Sequence, residues 1–233
     1  MTGTVVRLLD RPTYGLPQVD RLLGLPAGTA RRWIDGYERG GRTYEPVVRE
    51  ERTGDPIATW GEFVETRLLA EYRDAGVPMV RMRPAIEQLR KELGVRYPLA
   101  SARTWLDVHG RELVRQVQDE VELDRKLSLV VVRTGQTVAE WSDQVESFRR
   151  SIEWSGDGPQ AEPLVIRPVH DIEDVRIDPT RGFGEPVVRG VRTEIIVELV
   201  RAGESTATIA ELYDLPPAQV EAAVRYELLR NAA

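Results

Sequence analysis

The chain has no cysteine. That removes a disulfide framework, a thiolate metal site and a cysteine nucleophile together. Histidine is scarce as well, with His109 and His170 the two present. Lysine occurs at positions 91 and 126 alone, so the basic charge is almost all arginine, whose planar fork suits phosphates and carboxylates. Long apolar runs are missing: "LSLVVV" is strand-length and cannot span a bilayer. The start, "MTGTVVRLLDRP", is not a signal peptide, because arginine and aspartate break its short apolar run. No G-x-S-x-G elbow is found. A cytoplasmic chain with no membrane partner is the expectation.

What is present is a 233-residue chain with 41% hydrophobic and 30% charged residues, which fits one to three compact units. The net charge of −6 weighs against bulk nucleic-acid binding, but it is unevenly spread. Residues 1–49 hold eight Arg against five acids, and residues 170–233 hold seven Arg against twelve. The two ends therefore face different partners.

Helical periodicity is clear near the start. "LPQVDRLLGL" puts Val19, Leu22 and Leu23 on one face. "PAGTARRWIDGY" puts Ala30, Trp33, Ile34 and Tyr37 at i, i+3, i+4 and i+7. Gly24 allows a tight turn between them, so the pair has the layout of a helix-turn-helix. In that layout Trp33, Ile34 and Tyr37 are core, and Gly28, Thr29, Arg31 and Arg32 sit early on the opposite face, where a recognition helix meets the major groove. "EPVVREERTGDPIATW" reads as two short strands around Thr53-Gly54-Asp55, a wing that brings Arg42, Tyr44, Arg49 and Arg52 near the DNA backbone. The bland alternative is a helical pair that packs a domain without any nucleic acid. "GEFVETRLLAEYRDAGV" and "RPAIEQLRKELGV" are two further amphipathic helices, each ending in glycine.

The stretch from Arg96 to Trp154 mixes β-branched runs with helical patterns. "SGDGPQAEP" reads as a linker or exposed loop, and "LVIRPV" and "DVRIDP" as short strands. Three helical segments follow, at 193–202, 206–213 and 217–230.

Before them stands "GFGEPVVRGVR", with three glycines at 182, 184 and 190. It is not a phosphate loop. Val187 replaces the third glycine of G-x-G-x-x-G, no Lys-Ser/Thr follows Gly190, and Glu185 would repel a phosphate. The glycines fit turns around one strand, after which Thr193 caps a helix. The last helix is expected to bury Val220, Val224 and Leu228. Its outer face then offers Gln219, Ala222, Arg225 and Tyr226 as a dimer or partner surface. The acidic local balance makes this helix a poor reader of phosphates.

Two resemblances follow from these residues. "LLGLPAGTARRWI", "PVVREERTGDPIATW" and "GEFVETRLLAEYRDAGVPMVRMRPAIEQLRKELG", over about residues 13–94, resemble the MerR-like winged helix-turn-helix. The stretch "IDPTRGFGEPVVRGVRTEIIVELVRAGESTATIAELYDLPPAQVEAAVRYELL", over about 170–230, resembles the antitoxin-associated domain of unknown function found beside PIN-domain toxin genes. It departs from that pattern at Glu185, often Arg, and at Val191, often Thr. Together the chain resembles the longer VapB-type antitoxins. The resemblance implies a repressor of its own operon that also binds and silences a PIN-domain ribonuclease; palindromic operator DNA would favour a homodimer.

Catalysis is not expected. His170 lies near Asp171, Glu173 and Asp174, where a metal site is conceivable but a solvated run is the simpler reading. His109, beside Asp107, reads as a turn residue. No cofactor is expected. The expected fold is α+β and mostly α: a winged helix-turn-helix over 1–94, a mixed region over 95–168, and a three-helix, helix-turn-helix-like module with short strands over 169–233.

Overall fold

The computed structural model describes residues 7–73, 76–107, 109–132, 139–169 and 171–232. It is α+β, with ten α-helices and ten short strands among these residues. The strand β1 (Pro12–Gly15) leads into α1 (Leu16–Leu22) and α2 (Thr29–Asp35), followed by β2 (Tyr37–Arg39), β3 (Arg42–Tyr44) and β4 (Ile57–Thr59). β4 returns to pair antiparallel with β1, closing the helix-turn-helix into a loop of chain.

A hairpin lies one segment earlier than the two strands expected around Thr53-Gly54-Asp55. β2 and β3 form a hairpin around Gly40-Gly41, both at positive φ, as a two-residue hairpin turn requires. Residues 45–56 make no strand pair with each other. Val47 and Val48 are instead buried as a plug, their amides donating to the Trp33 carbonyl at 2.7 and 3.0 Å. The second helix stops at Asp35 because Gly36 takes φ 71°, and a Cβ there would meet the Tyr44 carbonyl at 2.5 Å. Tyr37 therefore leaves the helix, and of the expected core trio Ile34 alone is fully buried, Trp33 and Tyr37 being half-buried.

The helix α3 (Trp60–Glu71) starts from a reciprocal cap: the Thr59 hydroxyl accepts from the Glu62 amide, and the Glu62 carboxylate from the Thr59 amide. It is buried on every side, with Trp60, Phe63, Val64, Leu68 and Leu69 all inaccessible. Each such side chain is worth about 1.5–3 kcal/mol of burial. α4 (Arg83–Leu93) ends at Gly94, in the left-handed conformation.

The middle region wraps this core. It comprises α5 (Ala102–Trp105), α6 (Gly110–Glu120), β5 (Val130–Val132) paired with β6 (Ala139–Trp141), α7 (Asp143–Ser151), and the hairpin β7 (Ile152–Trp154) with β8 (Pro163–Ile166). The glycine-rich segment 155–162 is the loop of that last hairpin. One apolar cluster runs from Leu9 to Ile177, continuous across residue 94, and Trp60 Nε1 donates to the Pro163 carbonyl at 2.7 Å.

The C-terminal module has its own cluster, from Ile172 to Tyr226. β9 (Val187–Val188) and β10 (Val191–Arg192) form a hairpin turned by Arg189-Gly190, both at positive φ. Then come α8 (Thr193–Arg201), α9 (Thr206–Tyr213) and α10 (Pro217–Ala232). "DVRIDP" is not a full strand but a stepping stone: Ile177 bridges to Ile166 and Arg176 to Val187, linking β8 to β9.

Candidate nucleic-acid interface

The helix-turn-helix is held by a carboxylate that the sequence reading did not single out. Asp20, buried on α1, accepts from the amides of Gly28 at 2.7 Å and Ala30 at 2.6 Å. It caps α2 from across the turn, while Gly24 at φ 61° and Gly28 at φ 78° supply the bends. Burial raises the Asp20 pKa, and the amides and Arg32 pull it back in part. The residue spacing does carry a signal, since an acid in the first helix and a cap-less "PAGTA" start are complementary.

A second ionic anchor sits at the other end of α2. Arg49, expected at the DNA backbone, is buried. Its guanidinium holds Glu62 through Nε at 2.9 Å and Nη2 at 3.1 Å, and Asp35 through Nη1 at 2.9 Å. Asp35 also takes the amides of Thr53 and Gly54. Burial pushes the Asp35 pKa up, but these amides and Arg49 outweigh it and hold the carboxyl below its ordinary range. Arg49 is thus a clamp joining α2, the 49–57 loop and α3, and it has no donor free for a phosphate.

The remaining expected contacts divide. Arg31 and Arg32 are exposed on α2, and Arg32 donates to the Thr29 hydroxyl at 2.8 Å. Thr29 itself is buried, and Gly28 is the left-handed residue before the helix. Arg42 is exposed at the hairpin tip. Tyr44 is half-buried and stacks on Tyr37 at 4.6 Å, bracing the hairpin. Arg52 pairs with Glu38 at 2.8 Å. Arg39, which the sequence reading passed over, faces Arg42 across the hairpin and is exposed too. The signal was "RGGR", a tight-turn pair with an arginine on each side. Arg32, Tyr37 and Tyr44 line one hollow, so helix and hairpin share a side.

In the C-terminal module the expected partner surface is corrected. Ala222 and Tyr226 are buried, while Gln219 and Arg225 bind the module's own Asp174 side chain and Asp171 carbonyl at 2.8 and 3.0 Å. Leu228, expected in the core, is 64% exposed. The packed stripe of α10 runs through Val220, Ala223, Tyr226 and Glu227, rotated about the helix axis from the expected 220-224-228 line. Thr193 does not cap α8 through its side chain; its hydroxyl donates to the buried Glu227 of α10. Exposed large apolar side chains here are Phe183, Leu212, Leu228 and Leu229. His109 is exposed before α6, and His170 lies outside the described residues. No described helix is long and apolar enough to cross a membrane.

Residues 12–86 match the family described as a putative DNA-binding HTH domain, and residues 175–226 match the protein of unknown function family DUF433. The uncharacterized protein Rv2308 of Mycobacterium tuberculosis is 40% identical over 231 residues, covering 96% of this chain and 93% of that protein. The putative antitoxin VapB45 of the same organism is 30% identical over 235 residues, covering 92% and 93%. The crystal structure of Rv2018 from M. tuberculosis superposes with a TM-score of 0.73 at 28% identity, over 94% of this chain and all of that one. With an N-terminal HTH domain, a C-terminal DUF433 module and near full-length identity at this level, the chain belongs to the family of Rv2308 and the putative antitoxin VapB45.

Proposed function

We propose that the chain is a non-catalytic, cytoplasmic antitoxin that binds operator DNA as a homodimer, represses its own operon and neutralises a PIN-domain ribonuclease. The observation that carries the DNA half is the set of exposed arginines 31, 32, 39 and 42 on α2 and the β2–β3 hairpin, within a chain of net charge −6. Exposed arginines on a helix-turn-helix and the hairpin beside it suit a phosphate backbone. In this reading α2 enters the major groove and the hairpin is the wing of a MerR-like motif. The toxin half is supported by the kinship with a putative antitoxin and by the exposed Phe183, Leu212, Leu228 and Leu229, apolar side chains suited to a protein partner.

Gel shift with the chain's own upstream DNA tests the first half. Arg31→Ala with Arg32→Ala should weaken binding at least tenfold, and binding should fall steeply with salt. Equal binding by that double variant rules out α2 as the reading helix. Co-purification with the neighbouring gene product tests the second half. A PIN-domain neighbour that neither co-purifies nor loses ribonuclease activity excludes the antitoxin role.

A further inference from the structure

We propose that Gln18 and Arg21 on α1 form a binding site for a DNA backbone phosphate, and that the Glu185 carboxylate fills this site in the free chain as an internal stand-in for the phosphodiester. The inference rests on the DNA-binding reading above and deepens it.

Gln18 Nε2 donates to Glu185 Oε1 at 2.6 Å, and Arg21 Nη2 donates to the same oxygen at 2.9 Å. The two donors stand three residues apart and so share a face of α1. A side-chain amide and a guanidinium meeting on one anionic oxygen are a donor set that also suits a phosphate oxygen. In a helix-turn-helix the first helix is the one that crosses the DNA backbone. The donor pair therefore sits on the element that meets phosphates in this motif.

Glu185 is delivered to this place by a rigid anchor. The preceding residue, Gly184, is at φ 76°, and its carbonyl accepts from the buried Tyr14 hydroxyl at 2.8 Å. A Cβ on Gly184 would lie 2.7 Å from that hydroxyl oxygen and 2.8 Å from the ring. The backbone of the C-terminal module is thereby fitted against β1, one residue ahead of the carboxylate. The pair itself stays at the protein edge, with the Arg21 side chain 44% and the Glu185 side chain 18% exposed. Rotation of the Glu185 side chain frees both donors without moving the anchor. The C-terminal module then sets DNA affinity without touching DNA.

The test is fluorescence anisotropy of the full chain with a labelled duplex from its own upstream region, over a salt series. Glu185→Gln is expected to bind about three- to tenfold tighter at low salt, with a log–log salt slope steeper by about 0.9, one extra phosphate contact. In an Arg21→Ala background the same change should give no gain. Glu221→Gln, an equal charge change on the exposed side of α10, should move affinity far less than Glu185→Gln. Glu185→Ala serves the same comparison should the glutamine variant not fold. If the wild type binds the duplex and Glu185→Gln binds with unchanged affinity and slope, or if the gain survives in Arg21→Ala, the stand-in role is overturned and the DNA reading stands. If neither wild type nor Glu185→Gln binds the duplex, the DNA reading itself falls.

Discussion

The two ends of this chain solve the problem of stability differently. The part before residue 169 buries ionisable side chains: Asp20, Asp35, Arg49, Glu62, Arg67 and Arg90 lie in or under its core, with Glu65 beside them. The C-terminal module buries a mostly apolar stripe, with Thr193 and one Glu227–Arg230 ion pair among its described buried polar groups. The difference teaches where precision is needed. Two short helices and a hairpin have too little apolar area to fix their own angles, so carboxylates and Arg49 tie them to α3. Three longer helices with regular spacing pack on one another and need fewer ties, which leaves Leu212, Leu228 and Leu229 for the outside.

The sharpest way to break this contrast is Arg49→Ala. Removing the cation strands Asp35 and Glu62 in a buried setting, and unfolding by denaturant should show a loss of about 3–5 kcal/mol. Arg225→Ala, which removes one exposed bond to the Asp171 carbonyl, should change stability by no more than about 0.5 kcal/mol. Comparable losses at the two sites would erase the distinction between a clamped and a packed region.

The junction between the regions gives the next effect. Gly184→Ala combines a positive φ with a collision on Tyr14, and should cost about 2–4 kcal/mol. Gly190→Ala, at φ 91° with nothing within 4 Å, meets the backbone penalty alone and should cost about 1 kcal/mol. Thermal melts of the two variants side by side measure what domain contact adds.

Burial of Glu65 also predicts a pH signature between mildly acidic and mildly basic pH in the first part. Burial pushes Glu65 up to about 8, against the pull of Arg90 and the Leu99 amide. The folded chain therefore keeps a proton that the unfolded chain releases from pH 4.5 upward. The contribution to stability is full below 4.5 and is lost as the pH climbs through 8. Glu65→Gln still accepts from the Leu99 amide, so it should flatten this decline and melt higher than wild type at pH 9 but not at pH 5. Parallel melting curves at both pH values would refute a neutral Glu65.

A more modest effect than those at Arg49 and Gly184 concerns Asp20. Asp20→Ala removes the cap on α2 and should cost about 1–2 kcal/mol, with weaker binding of the upstream duplex as the turn loosens. Full affinity in that variant would mean that α2 keeps its position without the cap.

The helices were largely legible beforehand, and the C-terminal ones nearly to the residue. The reading of 193–202, 206–213 and 217–230 corresponds to Thr193–Arg201, Thr206–Tyr213 and Pro217–Ala232. Local chemistry sets those ends: Ser205 caps α9 through the Thr208 amide, and Gly203 at φ 98° stops α8. The hairpin at 37–44 was missed because "PVV" looked like a strand, whereas the Gly-Gly pair is the stronger turn signal. The middle region resisted because its helices and strands are short and pack around α3, which has no polar face to display.

The site residues divide on the same physical line. That Arg31 and Arg32 lie on a helix-turn-helix follows from periodicity and local charge. That Arg49 is a clamp, that Tyr226 is core, and that Glu185 faces Gln18 and Arg21 does not. Each of these depends on partners 13 to 167 residues away in the chain. The sequence by itself determined the helices, their caps and the charge at each end, because those properties act over one or two turns of chain. The tertiary structure alone decided which charges are buried and paired and which stay free for a partner, because desolvation is set by what the fold brings alongside.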